Sequence, residues 1–145
     1  MKKLMGSVAT VAVCAGFFGV MGTGTAAAAN THKFSTHLWD PTYGYVQGGV
    51  TFHNRDVVIQ GSVKSHTTGC AQAEFEIFAN FTDETPLKTE TRTACGRGTG
   101  TSTDFHFTVD MPAGGAAYLL TSLNENTTGS WKLVSWETAN NTDRL

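Results

Sequence analysis

The sequence predicts an all-β protein, an antiparallel β-sandwich of about seven strands carrying one disulfide. Three observations predict it. Segments that alternate apolar and polar residues recur at regular spacing from Tyr43 to about residue 138. No helical periodicity is found beyond the first 29 residues. The two cysteines after that point, Cys70 and Cys95, flank two neighbouring strand patterns. The size suits an immunoglobulin-like or jelly-roll-like sandwich. A small closed barrel is the alternative.

Residues 1–29 read as a secretory signal peptide. Lys2 and Lys3 precede an apolar run from Leu4 to Met21, and Ala27 and Ala29 form an A-x-A cleavage site before Asn30. A membrane anchor is the weaker reading, because Gly6, Gly16 and Gly19 dilute the run and no basic flank follows it. Cys14 lies in mid-run, after Val13, and would leave with the peptide rather than carry a lipid.

The expected mature chain has 145 − 29 = 116 residues, enough for one domain with a modest core. It keeps all 12 acidic residues and 8 of the 10 basic ones, giving 8 − 12 = −4. An acidic surface gains nothing from counterion release, so nucleic acid is excluded as a partner, as is a membrane once the signal is cleaved. Export places Cys70 and Cys95 in an oxidising compartment, where pairing is the default. The expected location is extracellular. The Ala-rich cleavage region and Thr/Gly-rich body suggest a Gram-positive, actinobacterial exporter.

Each element follows in turn. Residues 30–42, "NTHKFSTHLWDPT", show no clean periodicity and contain Pro41, which predicts an extended N-terminal arm. "GGVTF" alternates Val50 and Phe52, and "HNRD" turns the chain. In "VVIQGSVK", Val57, Ile59, Gly61 and Val63 oppose Val58, Gln60, Ser62 and Lys64. "CAQAEFEIFAN" is clearest: Ala71, Ala73, Phe75, Ile77 and Ala79 face one way, Gln72, Glu74, Glu76 and Asn80 the other, and Phe78 falls on the polar side. After "TDETP", "LKTETRTAC" puts Lys88, Glu90 and Arg92 on one face, with Lys88 and Arg92 expected to answer Glu74 and Glu76 across a hairpin. "GRGTGTST" is a loop, with Gly96, Gly98 and Gly100 suited to a crossover between sheets. "DFHFTVDM", "AAYLLTSL" and "SWKLVSWET" complete the strands, so the sandwich spans 43–138 and a polar tail 139–145.

Cys70 opens the third strand and Cys95 closes the fourth, so an antiparallel hairpin brings them together. Closing a loop of about 25 residues stabilises by roughly 3–4 kcal/mol in the chain-entropy model. "TACGRGTG" is no phosphate loop, since it lacks the lysine and leads into a strand. Nor is it a C-x-x-C redox motif.

Little else carries chemistry. His32, His37, His53, His66 and His106 lack converging ligand spacing, so no metal or cofactor is implied. No G-x-S-x-G elbow or spare thiol is present. Glu74 and Glu76, about 7 Å apart on one strand face, have a spacing compatible with paired glycosidase carboxylates, but read more simply as a solvated face. The sequons at Asn80, Asn126 and Asn140 are expected to stay bare in a bacterial exporter.

The aromatics are the candidate binding residues. Phe34, Trp39, Tyr43 and Tyr45 lie in or beside the arm. Trp131 and Trp136, five apart, should point to opposite faces unless a bulge intervenes. With its export signal, polar arm, compact β-domain and hairpin disulfide, the chain resembles small secreted actinobacterial β-sandwich proteins. In outline it is similar to the adaptor subunit of umbrella toxin particles, a small sandwich joining a ring-bearing toxin chain to a lectin subunit. That resemblance implies a binding role and assigns no residue. The expected function is a secreted, non-catalytic adaptor whose arm docks on a partner protein. The alternatives are a carbohydrate-binding domain using exposed aromatics, and a small secreted hydrolase or inhibitor.

Overall fold

The computed structural model describes residues 30–34, 38–97 and 101–142. The expected signal peptide and the glycines at 98 and 100 lie outside the described residues. The elements are β1 (Asn30–Phe34), β2 (Trp39–Asp40), β3 (Gly44–Phe52), β4 (Asp56–Ser65), β5 (Cys70–Phe78), β6 (Lys88–Cys95), β7 (Ser102–Asp110), β8 (Tyr118–Asn126) and β9 (Lys132–Asn140). They form two antiparallel sheets. One has the order β1-β3-β4-β7, with β2 also paired to β3; the other runs β6-β5-β8-β9. Hairpins β3–β4, β5–β6 and β8–β9 each stay within a sheet, and the chain changes sheet between them. This is the immunoglobulin-like connection pattern, with the partners of strands A, B and E on one sheet and those of C, F and G on the other.

The core follows from period-two burial. Val46, Val50, Val57, Ile59 and Val63 from the first sheet meet Ala71, Ala73, Phe75, Ile77, Leu119 and Leu123 from the second, all fully buried. Phe75 is packed edge-on against Phe105 and Phe107, with ring centroids 5.2 and 5.7 Å apart. Close strand approach requires glycine in the middle of the first sheet. Gly48 and Gly61 are register partners, and Gly48 has φ +156°. A Cβ on Gly61 would sit 2.1 Å from the Gln47 carbonyl oxygen.

Three expectations are corrected, and one residue on the polar side of its strand proves buried. Residues 30–34 and 39–40 do not stand apart as an arm: they pair with β3, Asn30 against Phe52 and Trp39 against Tyr45. Leu38 is fully buried, and its carbonyl accepts the Val46 N–H at 2.9 Å. The sheet thus gains two short strands beyond the expected seven. The tail is also partly structural, because β9 extends to Asn140 and the buried Asn141 amide donates to the Ala116 carbonyl. Phe78, at the end of β5, is buried despite its polar-side position, stacked on Tyr118 at 4.3 Å. Finally, Lys88 and Arg92 belong to the core-side row of β6, Arg92 half-buried and Lys88 exposed at the strand end. They lie opposite Ile77 and Ala73, not Glu76 and Glu74.

Cys70 and Cys95 are bonded and are also register partners, which staples the open end of the β5–β6 hairpin.

Candidate functional site

The outer face of the β6-β5-β8-β9 sheet carries an open groove of about 520 Å³. Alternation alone decides which side chains reach it. From β5 come Glu74 and Glu76, from β8 Tyr118, Leu120, Ser122 and Asn124, and from β9 Leu133, Trp136 and Thr138. Leu133 and Trp136 are three residues apart, a spacing that simple alternation would send to opposite faces. A register shift resolves this: Leu123 pairs with Ser135 but Asn124 with Leu133, so Val134 is the extra residue of a bulge. Both side chains then point outward, each 60% exposed. Trp131, two residues ahead of Leu133 in the turn entering β9, is 44% exposed. Neither tryptophan fills the core.

The floor of the groove is charged on one side and apolar on the other. The Asn124 amide donates to the Glu74 carboxylate at 3.0 Å. Burial, and then the neighbouring Glu74 charge, hold the Glu76 carboxyl above its usual range. The Tyr118 phenol is raised by burial first and then by Asp83 and Glu76, and its hydroxyl donates to the Asp83 carbonyl at 3.3 Å. Phe81, 6.0 Å from Tyr118 and nearly parallel to it, extends the aromatic end.

The groove lining contains no Lys or Arg. Arg92, on the other side of its sheet, lies 4.0 Å over the Phe107 ring and pairs with Glu90 at 3.3 Å. That arrangement occupies the charge which the hairpin reading assigned to the carboxylates.

The remaining candidates are dispersed. Trp39 is 57% exposed on the first sheet, and its cross-strand partner Tyr45 meets His66 edge-on at 5.8 Å. Tyr43 is half-buried in a turn where the Asp40 carboxylate accepts the N–H groups of Thr42 and Tyr43 at 2.7 and 3.0 Å. Phe34 pairs through its backbone with Gly48. Of the six aromatic candidates, only Trp136 lines the groove, and nothing in the sequence pattern marks Tyr118, Leu120, Asn124 and Leu133 as its neighbours there. A second depression, about 470 Å³ and bordered by Thr31, Gly49, Gln60 and His106, lies on the other sheet and contains no carboxylate. Among the described residues no three His, Cys, Asp or Glu side chains converge as a metal site requires. No described helix is long and apolar enough to cross a membrane.

Against family models, curated proteins and solved structures, the chain matches none.

Proposed function

We propose that this chain is a secreted, non-catalytic interaction module that docks on a partner protein through the outer face of its four-stranded sheet. One observation carries this reading: Leu133 and Trp136, each 60% exposed, are brought onto one face by the Val134 bulge and line the same groove as two carboxylates. Large apolar side chains grouped on a rigid face are what protein interfaces bury. The pairing of residues 30–34 and 39–40 with β3 supports moving the docking surface from the arm to this face. The resemblance to adaptor subunits fits the same role.

The test uses the tagged chain recovered from its native culture supernatant, with mass spectrometry of what accompanies it. Wild type should bring a stoichiometric secreted partner, and Leu133→Ser with Trp136→Ser should lose it at unchanged melting temperature. Retention of the partner by that double variant would remove the face from consideration. A second reading, carbohydrate binding, is favoured by Trp136 lying beside the Asn124–Glu74 hydrogen bond, which combines a stacking ring with polar groups. Binding on a glycan array that Trp136→Ala abolishes would favour it.

A further inference from the structure

We propose that the groove receives paired basic side chains of a protein partner, carried at alternate positions of an extended segment, with Leu133 and Trp136 covering the partner's adjacent apolar surface. This rests on the docking face proposed above and specifies its occupant.

The argument begins with spacing. Glu74 and Glu76 alternate on β5, a central strand paired on both sides, so their side chains start about 7 Å apart and are held there. An extended partner segment repeats with the same period, and basic residues at i and i+2 meet the two carboxylates together. The second observation is unanswered charge. Lys88 and Arg92 are on the opposite side of the sheet, Arg92 is engaged with Phe107 and Glu90, and no basic residue lines the groove. Glu76 makes no hydrogen bond or ion pair among the described residues, whereas Glu74 accepts only from a neutral amide. Two like charges side by side, partly buried, repel each other until a cation arrives, and this favours a complementary positive surface. Third, the Trp136 ring face accepts an aliphatic stem or a guanidinium plane. Leu120 and Leu133 offer no hydrogen bond to sugar hydroxyls and match an apolar side chain instead, which favours a protein over an amino-sugar polymer.

The test is an NMR titration of the full mature chain with acetyl-Ser-Arg-Val-Arg-Ser-amide. Its controls are the citrulline analogue, which keeps the shape and removes both charges, and a peptide with adjacent arginines. The arginine peptide should shift the amides of Glu74, Glu76, Ser122 and Asn124 and the Trp136 indole. Affinity should fall at least about tenfold with citrulline, with Glu74→Gln/Glu76→Gln, or with added salt. Adjacent arginines should bind more weakly than alternate ones. Equal binding of the arginine and citrulline peptides overturns the proposal, as does a chitosan trisaccharide that moves these signals where the peptide does not. If the peptide fails while Leu133→Ser/Trp136→Ser still loses the secreted partner, the basic occupant is refuted and the docking face stands. If the partner is also retained, both fall.

Discussion

Replacing Leu38 by alanine asks whether the N-terminal segment belongs to the core. Leu38 is fully buried among core residues, and its carbonyl ties the chain to Val46. Removing three carbons from such a site costs the transfer free energy plus the cavity, about 3 kcal/mol. For a domain near 116 residues, 1 kcal/mol moves the midpoint by roughly 3–5 °C, so Leu38→Ala should lower it by roughly 10–15 °C. The next residue is the control. Trp39 is 57% exposed, and Trp39→Ala should shift the midpoint by no more than about 2 °C. Thermal unfolding of the oxidised protein, followed by circular dichroism, reads both. If Leu38→Ala moves the midpoint no further than Trp39→Ala, residues 38–40 do not pack as described, and the segment is a free arm after all.

Three further outcomes are expected. Cys70→Ser with Cys95→Ser should destabilise by roughly 3–4 kcal/mol in urea unfolding, because the pair closes a 25-residue separation. Gly61→Ala should cost on the order of 2 kcal/mol, since its Cβ would press on the Gln47 carbonyl and the Gly48 Cα rather than on a mobile side chain; an unchanged midpoint would show that the sheet can open there. Glu76→Gln should raise the melting temperature at neutral pH. A carboxyl whose pKa is higher folded than unfolded holds its proton more tightly in the folded state, so its ionisation weakens folding as pH rises through that window. The advantage of the glutamine should vanish below the ordinary carboxylate range, and a gain that persists there would refute the cause assigned.

The seven principal strands, and the faces of β3, β4, β5 and β7, were legible because each pairs a strongly apolar row with a polar one. Val57, Ile59 and Val63 could only point inward. The disulfide was legible because hairpin geometry is local. What escaped depends on distant neighbours. "NTHKF" offers no apolar row, so its pairing with β3 leaves no trace in its own pattern. Phe78 is buried with Tyr118, forty residues on, stacked against it. The groove needed the bulge at Val134, which brings Leu133 and Trp136 onto one face and which no residue type there announces. In β6 the alternation of threonine with charge was visible, but both rows are polar. Solvation suggested that the charged row faces outward, whereas Phe107 gives Arg92 an inward place.

That ambivalence of β6 gives the cross-link a second effect. "KTETRTAC" contains no large apolar residue, so its own pattern barely distinguishes one face from the other. A slip of one position along β5 would turn Lys88 and Arg92 out beside Glu74 and Glu76 and send the threonines in. The covalent pairing of Cys70 with Cys95, at the end of the ladder, forbids that slip. A bond usually considered for the stability it adds therefore also sorts charge. It keeps Lys88, Glu90 and Arg92 off the face that carries Glu74 and Glu76, so the electrical character of that exposed face is selected when the two thiols are oxidised.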